Sequence, residues 1–307
     1  MKGVLAEPAI TRFDTEAPAI SVRMKLLAIL EVCVVFAAIM TAIVLLRSTG
    51  VYRWEIEHLG WTYTGMAIYV GIPAIVVWLT RRSWAEYGVS AANWRTNLDA
   101  GIKASLIRCI PTWLGYWGVR MLSLEGNRLA GSALDVSLWI MAVALLVWAL
   151  NRQKPATSAR RNMITILVLV FLPMLFALAM GRLSVVIVST VVWQFALSGF
   201  GEEFVYRGYF QSRLNGAFGR PVRLFGIQFG AGLIVASLLF GLNHALNTYD
   251  PAIGWSSLHW SWAVGSCAAG LFFGVLREKT GTLLAPGIAH GLLDAFGEPF
   301  IKMFGWS

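Results

Sequence analysis

Charge is what this sequence has least of. Asp, Glu, Lys and Arg supply 13% of its 307 residues, about half the roughly 25% of an average soluble domain. A fully water-exposed surface cannot be built from that composition. Cysteine is scarce as well. Cys33, Cys109 and Cys267 each lie inside an apolar stretch, and none has a partner at metal-binding spacing. That excludes a disulfide framework and a cysteine-type zinc site, and leaves three small hydrophobes. The strict apolar/polar alternation of membrane-barrel strands is missing. So is any internal repeat, which removes support for an inverted-repeat transporter. A cleavable leader is not expected either, because the first 25 residues are polar and mixed in charge (Glu7, Arg12, Asp14, Glu16).

What is abundant is hydrophobic length. The 57% of apolar residues, about 175 of 307, would fill eight or nine spans of roughly 20 residues each. Candidate spans are 26–46, 61–80, 101–118, 134–150, 163–180, 183–200, 224–243, 259–276 and 282–301. The expected fold is therefore all-α, a polytopic integral-membrane helical bundle with eight or nine transmembrane helices, since backbone in lipid must satisfy itself internally. Pro73, Pro111, Pro173 and Pro286 are expected to kink spans without ending them. The third span (Lys103, Arg108, Pro111) and the last (Pro286, Gly287, Gly297) are the two that could be partial or re-entrant. Three regions follow: a polar tail 1–25, N-terminal membrane helices 26–182, and a C-terminal membrane core 183–307.

The formal net charge of +9 does not read as a nucleic-acid signal, because the basic residues sit between apolar runs and not along one face. They read as topology. Summed over alternate loops, with Lys103 at the start of the third span counted in the loop before it, Lys and Arg number 18 on one side and 6 on the other. The positive-inside rule then places the N-terminus in the cytoplasm, with the plasma (inner) membrane as the expected location. Trp54, Trp61 and Trp306 read as interfacial anchors.

Ionisable residues within spans are costly and by default functional. Three clusters stand out: Glu202-Glu203-Phe204-Val205-Tyr206-Arg207, Phe240-Gly241-Leu242-Asn243-His244 and His290-Gly291-Leu292-Leu293-Asp294. On an α-helix Glu203 and Arg207 are i, i+4 and able to pair, whereas Glu202 projects about 140° from Arg207 and is left free. An unpaired carboxylate in an apolar setting is raised toward the range useful for a general base. His290 and Asp294 share a face, and Phe240 and His244 share another. Taken singly, each cluster also fits a bland reading, as a solvated salt-bridged helix end or a buried structural histidine. A free carboxylate and two histidines on three separate spans fit it poorly.

The ordered set E-E-x-x-x-R, F-x-x-x-H and H-x-x-x-N/D resembles the CAAX-protease and bacteriocin-processing (CPBP, or Abi) family of intramembrane peptidases, over roughly 183–298. Trp84-Ala-Glu-Tyr-Gly-Val is similar to a short segment that often precedes that core. The resemblance implies an endopeptidase acting on a membrane-associated peptide or protein. Glu202 would activate water with the help of His244, and His290 and Asp294 would stabilise the oxyanion. Glu203 and Arg207 would hold the helix in register, with Phe240 beside the histidine. Asp294 stands where the prenyl-protein branch has Asn, and an ionised Asp would repel an oxyanion. It would then be protonated, or it would orient His290 and keep it cationic. No cofactor is favoured. A zinc-dependent version, with Glu202, His244, His290 and Asp294 as ligands, is the alternative chemistry. Two further alternatives are a non-catalytic immunity or scaffold protein of the same family, and a proton-coupled transporter; a transporter predicts ionisable residues spread along several spans, and the first five offer only Glu31, Lys103 and Arg108.

Overall fold

A computed structural model describes residues 21–124, 128–153, 158–249 and 253–305. Most of the polar tail and Trp306 lie outside this set. Twelve α-helices are described: α1 (Val22–Arg47), α2 (Gly50–Leu59), α3 (Tyr63–Leu79), α4 (Trp94–Cys109), α5 (Gly115–Met121), α6 (Arg128–Asn151), α7 (Ala159–Ala179), α8 (Val185–Val192), α9 (Ser212–Phe218), α10 (Ala231–Leu246), α11 (Trp260–Thr280) and α12 (Leu284–Phe304). Two breaks in this pattern matter. A π-helical turn, Ile110–Leu114, joins α4 to α5 at Pro111, whose missing N–H cannot continue the α ladder. Two longer π-helical stretches, Trp193–Glu202 and Phe204–Gln211, join α8 to α9 as one 34-residue helix, Val185–Phe218.

Among the described residues, four helices are long and apolar enough to cross a membrane: α1, α6, α7 and Val185–Phe218. A fifth is reached if α2 and α3, bent by 118° at Gly60-Trp61-Thr62, count as one broken span. The expected eight or nine crossings go beyond this number. The difference comes from inner helices. α10 has 16 residues, while α11 and α12 have 21 each but carry Arg277-Glu278-Lys279 and Asp294, Glu298 and Lys302. α4 carries Arg95, Asp99, Lys103 and Arg108. Several of these charges are paired within the protein: Arg108 with Asp294, Lys103 with Asp99, and Glu278 with Arg220. Nor is the chain wholly α. Val222–Leu224 and Ile227–Phe229 form an antiparallel hairpin (β1, β2) around a two-residue turn, Phe225-Gly226, with both residues at positive φ. The long helix runs well past Arg207 and ends at Phe218, where Gly219 takes φ 71° and Pro221 follows.

The loops rich in Lys and Arg converge on one end of the bundle. Arg82 and Arg213 both bind Glu31, Arg220 binds Glu278, and Lys279 donates to Asn151 at the end of α6. At the other end Lys302 donates to the Gly60 carbonyl and Arg182 to that of Met303. The alternation counted in sequence therefore corresponds to two physical ends.

Glycine lets the site-bearing helices approach. A Cβ on Gly199 would lie 2.5 Å from Gly291 Cα, and one on Gly291 would lie 2.5 Å from the Phe195 carbonyl oxygen. These are backbone atoms that cannot move aside, so the Val185–Phe218 helix and α12 meet at van der Waals distance, as small residues allow in membranes. Gly199→Ala is expected to cost about 1–3 kcal/mol by overpacking. Gly71→Ala, with nothing within 4 Å of its Cβ, is expected to be neutral or slightly stabilising. Thermal unfolding of the two variants in detergent checks the contrast.

Candidate active site

The tandem glutamates divide as their spacing predicts, although on a π-helix and not the α-helix assumed. Wide i→i+5 turns are rare and concentrate at functional sites. Glu203 and Arg207 are fully buried and joined by a 3.0 Å ion pair. Arg207 also donates to the Gly270 carbonyl at 3.2 Å and lies 4.4 Å from the Phe240 ring centre. Glu202 turns the other way. Its Oε1 accepts from Ser198 at 3.2 Å, its Oε2 is buried with no hydrogen-bond partner, and its side chain lines a cavity of about 280 Å³. Asn243, Tyr69 and Trp193 share that wall.

α10 brings the second cluster in. The rings of Phe240 and His244 meet edge to face at 4.4 Å, and His244 also packs on Trp262 at 5.0 Å. His244 Nδ1 lies 2.8 Å from the Phe240 carbonyl oxygen. A carbonyl only accepts, so Nδ1 carries the proton and Nε2 is the nitrogen with a lone pair. His244 is within electrostatic reach of Glu202. Phe240 thus touches both halves of the site, with Arg207 on one side and His244 on the other.

The third cluster meets the first. His290 stacks on Phe273 at 4.7 Å, places Nδ1 2.9 Å from Glu203 Oε1, and turns Nε2 toward Asp294 Oδ2 at 3.5 Å. Both ring nitrogens therefore face carboxylates. Asp294 is in turn held by Arg108, whose Nη2 donates to Oδ1 at 2.7 Å and whose Nη1 donates to the His290 carbonyl. The outcome is a continuous chain, Arg207–Glu203–His290–Asp294–Arg108, lying beside the Glu202 cavity. Of the two roles open to Asp294, orienting His290 fits this arrangement, since Oδ2 faces His290 Nε2 while Oδ1 is held by Arg108.

The zinc alternative fits less well. His290 Nδ1 is engaged by Glu203 and Asp294 by Arg108, and among the described residues no group of three or more His, Cys, Asp or Glu converges as a ligand set.

Several residues have no role in the sequence reading and acquire one here. Arg108 was visible only as a charge inside a span; its fit to Asp294 depends on a contact 186 positions away. Tyr69 donates to Tyr206 beside Glu202. Asn243 was in plain view one residue before His244. Trp61 stacks on Trp193 at 4.4 Å and lines the Glu202 cavity, so it does more than anchor an interface. Trp54 is 54% exposed and stacks on His58 at 5.0 Å. Asp135, in α6 close to Gly115 and Gly265, is an intramembrane carboxylate passed over in the sequence. The Trp84–Val89 segment packs on the core through Trp84–Phe204 and Tyr87–Tyr209 ring contacts, and the Gly88 carbonyl accepts from Leu283 N.

Residues 184–296 match the family described as type II CAAX prenyl endopeptidase Rce1-like. The matched segment contains all three clusters, and the family resemblance read from their order is borne out. No curated protein and no solved structure matches the chain.

Proposed function

We propose that this chain is an intramembrane endopeptidase of the CAAX-protease type, in which Glu202 activates the hydrolytic water. The observation that carries the reading is the contrast between the two adjacent glutamates. Glu203 is spent on Arg207 and His290, while Glu202 presents an unpaired carboxylate oxygen at a cavity. In the proposed step Glu202 takes a proton from water and the oxygen attacks the peptide carbonyl carbon. As the tetrahedral intermediate collapses the C–N bond breaks, and the proton passes to the leaving nitrogen. His244, within electrostatic reach of Glu202 and with Nδ1 engaged by the Phe240 carbonyl, assists the proton movement through Nε2. His290, held between Glu203 and Asp294, supports the oxyanion together with Asp294, and Arg108 fixes Asp294 from behind. Preorganised charge of this kind is worth about 3–4 kcal/mol per donor in a dry site.

The substrate class proposed is a membrane-associated peptide or protein, with the lipid bilayer as the other partner. Integral-membrane location follows from the family and the apolar helices; an inner-membrane site with a cytoplasmic N-terminus is part of the proposal. The test is cleavage of a fluorogenic peptide library by the detergent-purified protein, with and without a strong chelator. Cleavage that survives the chelator and depends on Glu202 supports the metal-free mechanism. Cleavage lost with chelator and restored by zinc moves the reaction to the zinc alternative. Cleavage unaffected by Glu202→Gln sinks both.

A further inference from the structure

Two cavities touch the residues assigned to chemistry. The first, of about 280 Å³, has Glu202 and Asn243 in its wall and Arg47, Tyr52, Gly60 and Asn247 around it. The second, of about 530 Å³, has Asp294 in its wall with Trp113, Tyr116 and Arg120. Chain direction tells where they open. α1 carries Glu31 at the arginine-rich end and finishes at Arg47. α3 runs back from Tyr63 toward Arg82. α12 starts where Leu283 meets Gly88 and finishes where Lys302 meets Gly60. Arg47, Tyr52 and Gly60 therefore mark the basic-poor end. Asn243 and Asn247 lie at the last turn of α10, Trp113 to Arg120 close the α4–α5 rod, and Asp294 begins the second half of α12. All of these belong to the same end. A third cavity, of about 450 Å³ at the arginine-rich end, is lined by Arg82, Tyr87, Arg213 and Arg220 and includes none of the four proposed catalytic residues.

Within the Glu202 cavity the charged lining residues are Arg47 and Glu202 alone. Among the described residues Arg47 has no ion-pair partner, and it is half-buried. On α3 the lining runs from Thr62 at the mouth to Tyr69, about 10 Å deeper at 1.5 Å per residue. A guanidinium thus stands at the mouth and the proposed base in the depth. The volume is just under the roughly 300–1,000 Å³ of small-molecule pockets, enough for about one or two residues of an extended peptide.

We propose that the scissile peptide reaches Glu202 from the end of the bundle opposite the arginine-rich loops, which with a cytoplasmic N-terminus is the outer face of the membrane, and that Arg47 is a specificity-determining residue that receives an acidic side chain of the peptide. The proposal rests on the peptidase reading for its substrate, but its test needs no cleavage. Asn247→Cys and Tyr52→Cys place a thiol at the mouth, and Arg223→Cys places one on the hairpin at the arginine-rich end. Each full-length variant is treated in intact cells, then after permeabilisation, with two membrane-impermeant methanethiosulfonates, one bearing a sulfonate and one a quaternary ammonium group. The untouched chain serves as the control for Cys33, Cys109 and Cys267.

The mouth cysteines are expected to react in intact cells and Arg223→Cys only after permeabilisation. The sulfonate reagent is expected to react several-fold faster than the ammonium one at Asn247→Cys, and Arg47→Gln to remove that preference. The reverse sidedness overturns the direction of access, as do mouth cysteines that react only after permeabilisation. Equal rates for the two reagents, or a preference that survives Arg47→Gln, overturn the role of Arg47. Loss of the peptidase reading through an active Glu202→Gln enzyme would leave these rates unmoved, so the two failures are separable.

Discussion

Glu202→Gln is expected to lower kcat by about 10²–10⁴-fold, the contribution of a positioned general base, with little change in KM or in unfolding temperature. The substitution keeps shape and removes only the ability to take a proton. The bond from Ser198 can still be accepted by the amide oxygen, so packing has no reason to change. Glu203→Gln provides the internal comparison. It alters a group that lies outside the Glu202 cavity lining and holds two others in place, so its activity loss is expected to come with a loss of stability. Steady-state kinetics on any peptide cleaved by the library assay, alongside thermal unfolding of both variants, separates the two signatures. Equal kinetics for wild type and Glu202→Gln would remove Glu202 from the chemistry.

Arg207→Met carries the largest expected stability loss, about 3–5 kcal/mol, because it strands the fully buried Glu203 carboxylate without its cation. His290 remains beside Glu203 and can supply part of the missing charge. Adding Glu203→Gln to Arg207→Met is therefore expected to restore stability in part, with a coupling of about 0.5–3 kcal/mol as found for residues in one network. Denaturant unfolding in detergent of the two single variants and the double variant measures it. Additive losses would mean that the pair does not act as a unit.

Much of this site was legible in the sequence, for reasons that can be named. Spacing is a local property, and a pairing such as Glu203–Arg207 survives a change from α to π winding because i and i+4 remain neighbours in both. The end of the long helix at Phe218 has a local cause of the same kind, since Gly219 and Pro221 punctuate the chain. What could not be read was whatever depends on distant contacts. His290 was paired on paper with Asp294 four residues on, yet its closer partner is Glu203, 87 positions away. Arg108 looked like a defect in the third span until α4 was set beside α12. The number of crossings is of the same kind: four or five helices are long and apolar enough to cross on their own, while α11 and α12 carry charges whose partners lie elsewhere in the chain.

The pairings also bear on modularity. The matched segment begins at residue 184, but its charges are completed from outside it. Glu31 of α1 takes Arg213 and Tyr209, Arg108 takes Asp294, and Tyr69 takes Tyr206. Excised as a fragment, 184–307 would carry several polar groups into lipid without partners. The N-terminal half is thus the other part of one electrostatic unit, and chimeras that exchange halves between relatives would have to exchange these partners together.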